Sequence, residues 1–253
     1  MRYLVLAGLL VLFAVDAPAR PLEAIRQRGA LTLCAHPNAL PFASRHGDVP
    51  GFQVEVARAL AKQLGVSLEQ HWVVNTFQYR RADCDIILDA IADRAMLAEV
   101  GLRMSQPYHR SGIALAVGPK SSVASLAELT QGQRVGVQVG SIASMTLGKR
   151  GVKTSPFAFE DEIMDALAKG EIDAGAVTPA AIGWFNKTHP DARVRRIAAF
   201  EGEPDLNWNV AVGMVSPDEK LRQDVDAALQ ALLADGTLAR IYARYEVELQ
   251  PPQ

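Results

Sequence analysis

Leu31-Thr32-Leu33-Cys34-Ala35 reads as a short buried strand, and Val54, Val56, Ala57, Leu60, Ala61 and Leu64 recur at helical spacing up to Gly65. Between strand and helix lies a turn-rich stretch carrying Pro37, Asn38, Pro41, Gly47, Pro50 and Gly51. Loops in compact domains usually run to about 4–6 residues, so a connection this long is expected to carry function. In an open α/β sheet, the loop beyond a strand's C-terminal end overlooks the ligand crevice.

The alternation continues along the chain. A short amphipathic helix is expected at 21–28, and strands at 67–74, 83–88 and 113–117. A second unit then starts: a strand at 134–139, a helix beyond Ser141 with that serine as its cap, a helix at 160–169 closed by Gly170, and strands at 172–177 and 193–200. Apolar strands alternating with helices point to an α/β chain with mostly parallel sheets covered on both faces. Ala114-Leu115-Ala116-Val117-Gly118 enters the second unit and Asn209-Val210-Ala211-Val212-Gly213 leaves it. Two such extended crossings describe two lobes joined by a two-segment hinge. The expected division is a leader at 1–19, a first lobe at 20–116, a second at 117–210, and a return to the first at 211–253 through two closing helices.

Met1-Arg2, an apolar run to Val15 and Ala17-Pro18-Ala19 form a secretory signal, and export to the periplasm follows. That run is well short of the roughly 20 apolar residues a membrane span requires, so no stable membrane insertion is expected. Basic residues number 26 and acidic residues 28, which leaves no positive field for nucleic acid. The two cysteines, Cys34 and Cys84, leave two readings open. Export permits a disulfide, whereas two parallel strands would offset the pair by about 10 Å, beyond the usual bridging distance.

Taken in order, 31–42 with Gly51-Phe52, 83–88, Ser105-Gln106-Pro107-Tyr108, 134–141, Gly170-Glu171-Ile172-Asp173-Ala174 and Leu238-Ala239-Arg240-Ile241-Tyr242 resemble the bacterial extracytoplasmic solute-binding proteins of family 3. The resemblance implies a two-lobed periplasmic-binding-protein type II fold. It also implies a monomer that closes on a small-molecule ligand for an ABC transporter permease. Within the family, 34–42, Asp83-Cys84-Asp85 and Leu206-Asn207-Trp208-Asn209 resemble the branch associated with quinoprotein alcohol dehydrogenases, methanol dehydrogenases included. That implies a second role, as accessory or chaperone-like partner of a quinoprotein dehydrogenase.

The family's amino-acid binders hold the carboxylate with an arginine whose place falls at Ala98 or Leu97, with Arg94 a helical turn away. Their amine-binding aspartate is matched by Thr178. Without both charges a zwitterion loses contacts of roughly 1.5–3 kcal/mol each, so a standard amino acid is not the expected ligand. Asn38, Phe42, Asp89, Gln138, Ser141, Ile142, Thr178 and Trp208 remain as candidate ligand-binding residues. Asp83, Asp85, Asp89 and Asp93 invite a metal reading, but along a strand Asp83, Asp85 and Asp89 alone spread over roughly 20 Å and do not suit the converging oxygens of a metal site. The histidines lack ligand spacing, and nucleophile elbow, phosphate loop and dinucleotide fingerprint are all missing. Neither metal nor cofactor is expected, and an enzyme such as a dehydratase is disfavoured because no acid–base pair stands out.

Overall fold

The computed structural model describes residues 21–74, 78–79, 81–92, 102–130, 132–200 and 202–253. The expected leader, Asp93, Arg94, Leu97 and Ala98 lie outside them. In chain order the elements are α1 (Leu22–Arg28), β1 (Ala30–Ala35), the small ribbon β2 (Asn38–Ala39) and β3 (Ala43–Ser44), α2 (Phe52–Leu64), β4 (Ser67–Trp72), β5 (Ile86–Ile91), β6 (Leu102–Met104) and β7 (His109–Gly112). Then follow β8 (Ala114–Val117), β9 (Val135–Gln138), α3 (Ile142–Lys149), β10 (Thr154–Phe157), α4 (Glu160–Ala168), β11 (Ala174–Val177), α5 (Pro179–Thr188), β12 (Arg195–Ile197), β13 (Asn207–Val215), α6 (Glu219–Ala234) and α7 (Thr237–Ala243). No helix among the described residues is long and apolar enough to cross a membrane.

Two open sheets organise these elements, one in each lobe. The first runs β4-β1-β5-β13-β6, with β7 also paired to β13; the second runs β10-β9-β11-β8-β12. Each sheet is mixed rather than mostly parallel. The βαβ strands β4, β1 and β5, and likewise β10, β9 and β11, are parallel, while β13 and β8 run against them. The reason is connectivity, since strands that cross between lobes enter a sheet against the direction of its βαβ strands. The first core packs Leu31, Leu33, Phe52, Leu60, Ile86, Val212 and Leu229 between β1, β5, β13 and the helices α2 and α6. In the second sheet, Leu115 and Val117 of β8 face one cluster and Ala114 and Ala116 the opposite one, so both faces are covered.

The expected junctions after residues 116 and 210 fall inside β8 and β13. The chain changes sheets at Gly112–Ile113, where the Ile113 N–H donates to the Leu206 carbonyl at 2.8 Å. A Cβ on Gly112 would stand 2.4 Å from that same carbonyl oxygen, so only glycine lets the two crossings approach.

A third segment joins the two expected ones. Residues 246–253 lie along β7, with the Arg110 N–H donating to the Gln250 carbonyl at 3.0 Å. The Gln250 N–H donates to His109 Nδ1 at 3.0 Å, and the Asn209 amide exchanges two hydrogen bonds with the Gln253 backbone. The same end of the chain grips the second lobe. Ala180 sits in the first lobe's core cluster, the Trp184 and Tyr245 rings lie 5.5 Å apart, and Lys187 donates to the Arg244 carbonyl.

Cys34 and Cys84 are bridged, with Cα atoms 5.5 Å apart. Cys34 does stand opposite Ile87 in register, as the offset required. Cys84, however, precedes β5, and the turn at Asp83 (φ 56°) brings it back beside its partner.

Two measurements follow from this packing. A Cβ on Gly183 of α5 would meet the Glu246 carbonyl at 2.1 Å, whereas one on Gly148 of α3 meets nothing within 4 Å. Gly183→Ala is therefore expected to destabilise by about 1–3 kcal/mol. Gly148→Ala should stabilise by up to about 1 kcal/mol, and denaturant unfolding of both variants checks the opposite signs. Burial lowers the His109 pKa, while Asp89 and Glu248 pull it the other way. A base with a lowered folded pKa contributes stability that is present above its unfolded value of about 6.5 and is lost as the pH falls from there through the folded pKa. The melting temperature of His109→Gln should accordingly fall less than that of the parent between neutral and mildly acidic pH, measured by calorimetry.

Candidate functional site

A cavity of about 280 Å³ opens where the two sheets meet. The first lobe contributes Phe42, Phe52, Gln53, Asp89, Ile91 and Tyr242, and the second contributes Ala114, Thr178, Pro179, Ala180, Arg196 and Ala198. His109, Trp208 and Val210 line it from the crossing strands, and Val247, Glu248 and Gln250 from the closing segment. Apolar walls with a few converging polar groups are the usual make-up of a small-molecule site.

Asp89 is the polar centre of the first-lobe wall. It is a β5 residue with left-handed backbone (φ 52°), beside a shift in the β5–β13 register. Its Oδ1 accepts from the Tyr108 hydroxyl and, at 3.3 Å, from the Tyr242 hydroxyl, while Oδ2 accepts from Gln53 Nε2 at 3.0 Å. Burial first, and then the Asp89 charge, push both phenols well above their ordinary pKa. They therefore remain donors across the physiological range. Next to this hub the rings of Phe42, Phe52 and Tyr242 form a row, 5.1 and 4.8 Å between successive centroids.

The second-lobe wall is built around the start of α5. Thr178 caps that helix by accepting from the Ala181 N–H at 3.2 Å. Its own N–H and hydroxyl donate to Glu160 at 2.6 and 2.7 Å. Burial raises the Glu160 pKa, against the lowering effect of these two donors. Both polar groups of Thr178 are thus engaged within the lobe. Across the gap, the His36 ring lies 5.5 Å from that of Phe159, a contact between the long loop after β1 and the second lobe.

The cavity brings together Phe42, Asp89, Thr178 and Trp208 and leaves Asn38, Gln138, Ser141 and Ile142 off its lining. Asn38 is exposed on the β2–β3 ribbon. Gln138 donates to the Ala158 carbonyl at 3.1 Å, Ser141 caps α3 by accepting from the Ser144 N–H, and Ile142 packs on the second-lobe core. Gln53, His109, Tyr242 and Glu248 join the cavity without a local sequence signal. Asp85 is a structural carboxylate, fully buried and accepting from the Thr32 N–H and hydroxyl, each at 2.8 Å, and from Arg28.

Comparison with known proteins agrees with this architecture. The chain is 27% identical over 238 residues to the membrane-bound lytic murein transglycosylase F of Desulfosudis oleivorans, an alignment covering 87% of this chain but 49% of that one. It is 24% identical to the histidine-binding periplasmic protein of Escherichia coli, over 97% of each chain. The solved structure of the ancestral amino acid-binding protein AncCDT-1, a precursor of cyclohexadienyl dehydratase, superposes with a TM-score of 0.72 at 21% identity, over 89% of this chain and 99% of that one. The histidine-binding relative is a periplasmic binding protein, and none of these three belongs to the dehydrogenase-associated branch expected from 34–42, Asp83-Cys84-Asp85 and Leu206-Asn207-Trp208-Asn209. The profile of the bacterial extracellular solute-binding proteins, family 3, matches residues 31–248, and the chain belongs to that family.

Proposed function

We propose that this protein is a non-catalytic periplasmic receptor that closes its two lobes on a small organic solute and presents it to an ABC-type permease. The observation that carries the reading is the interlobe cavity, whose lining comes from both sheets, the crossing strands and the closing segment. A site assembled in this way is complete only when the lobes approach, which couples occupancy to closure. The histidine-binding relative fits this role.

We further propose that the solute is not a standard free amino acid. A zwitterion must meet an opposite charge at each end when it leaves water. On the second-lobe wall, the Thr178 hydroxyl and N–H both donate to Glu160. The test is native mass spectrometry of the chain isolated from periplasm without denaturation, followed by a thermal scan with each of the twenty standard amino acids. The expected result is a one-to-one adduct that none of the twenty replaces. A ligand at about 100 times its dissociation constant adds roughly 2.7 kcal/mol of stability, so a true ligand is visible in the scan. A single amino acid that binds with micromolar affinity would contradict the proposed ligand class, and a chain that carries no adduct would contradict the receptor itself.

A further inference from the structure

Among the described residues, Asp89 has three donors, all of them neutral: two phenols on Oδ1 and the Gln53 amide on Oδ2. A carboxylate oxygen accepts about two hydrogen bonds, so Oδ2 retains capacity toward the cavity. Asp89 is half-buried, so a solute filling the cavity would complete its removal from water, which is costly without a counter-charge, and the left-handed backbone here adds strain of a kind concentrated at ligand sites. Strand register fixes what faces it. Ile91 stands opposite Val210, Val210 opposite His109, and Trp208 opposite Ser111. Side chains alternate along a strand, so Ile91, His109, Trp208 and Val210 share one face, and Asp89, at the register shift, lines the same cavity.

Among the described residues, the cations at the cavity do not pair with this charge. Arg110 is itself part of the cavity lining, but it stands opposite Asn209 and so on the other face of the ribbon from His109 and Val210. Arg196 has Glu248 at 3.9 Å, and burial lowers the pKa of His109, which favours its neutral form. Phe42 and Trp208 supply aromatic surface on the same cavity, and a ring face attracts a cation in its own right.

We infer that the solute carries an organic cation, an amine or guanidine on an apolar body, with its charged group against Asp89 and its body beside Phe42 and Trp208. This assignment rests on the receptor reading above and names its ligand class.

The experiment is calorimetric titration of the full chain, freed of co-isolated solute, with matched pairs: benzylamine against benzyl alcohol, and butylguanidine against butylurea. Asp89→Asn is the diagnostic variant, since asparagine can still accept from the tyrosine hydroxyls and tolerates left-handed backbone. At least one cation should bind roughly 10-fold or more tightly than its neutral counterpart, and Asp89→Asn should erase that preference. On the parent chain, added salt should weaken the cation and leave the alcohol unchanged, a readout that does not depend on the variant folding. Equal affinity within both pairs, a cation preference that survives in Asp89→Asn, or no binding by either cation would each overturn the assignment. The adduct measurement decides the receptor reading separately, because a neutral or anionic adduct leaves that reading standing while removing the role given to Asp89.

Discussion

The close backbone approach at Gly112 is the constraint on which the rest of the molecule depends. Here β7 leaves the first sheet for β8 of the second, and the Leu206 carbonyl of the returning chain accepts from the Ile113 N–H. Any side chain at residue 112 would drive the two crossings apart, since its Cβ would overlap that carbonyl. The pairing of β7 with β13 sets the separation of the two lobes and hence the width of the cavity between them. The closing segment doubles this junction. It hydrogen-bonds to β7 and the start of β13 while its flank packs on α5, so a third segment ties the two lobes together.

Asp89 links this scaffold to the site. Its hydroxyl donors come from Tyr108, just before β7, and from Tyr242 in the last helix. One carboxylate thereby joins the β5 wall, the crossing ribbon and the C-terminal helix. Removing a hydrogen-bonded carboxylate of this kind would leave buried phenols unsatisfied, at a cost of about 1–3 kcal/mol for each group. The polar hub that shapes the cavity is for that reason also a structural tie, and the asparagine variant separates the two roles where alanine would not.

The two-lobed α/β architecture was legible in the sequence because its strands are short apolar runs between turn residues, and their order survives tertiary packing. The direction of β8 and β13 was not legible. Strand patterns carry no sign for parallel or antiparallel pairing, which depends on where the chain arrives from. The disulfide was undecidable for a local reason: a register estimate treats Cys84 as a strand residue, whereas the turn at Asp83 takes it out of the strand. Half of the candidate site stood at strand ends or crossings that sequence order places near the lobe junction: Phe42, Asp89, Thr178 and Trp208. Ser141 was read correctly as a helix cap, and its hydroxyl is accordingly engaged with Ser144. Gln53, His109 and Tyr242 had no signal to find, because each reaches the cavity only through packing between distant parts of the chain.

The central claim is that occupancy of the interlobe cavity and closure of the lobes are one equilibrium. Small-angle X-ray scattering tests it most directly, comparing the chain as isolated with its solute against the same chain after unfolding, dialysis and refolding. The radius of gyration should be smaller in the loaded sample and should return to that value when the recovered solute is added back. Identical scattering from loaded and emptied protein would contradict the account, because the cavity would then be a fixed feature of a rigid molecule rather than a site made by closure.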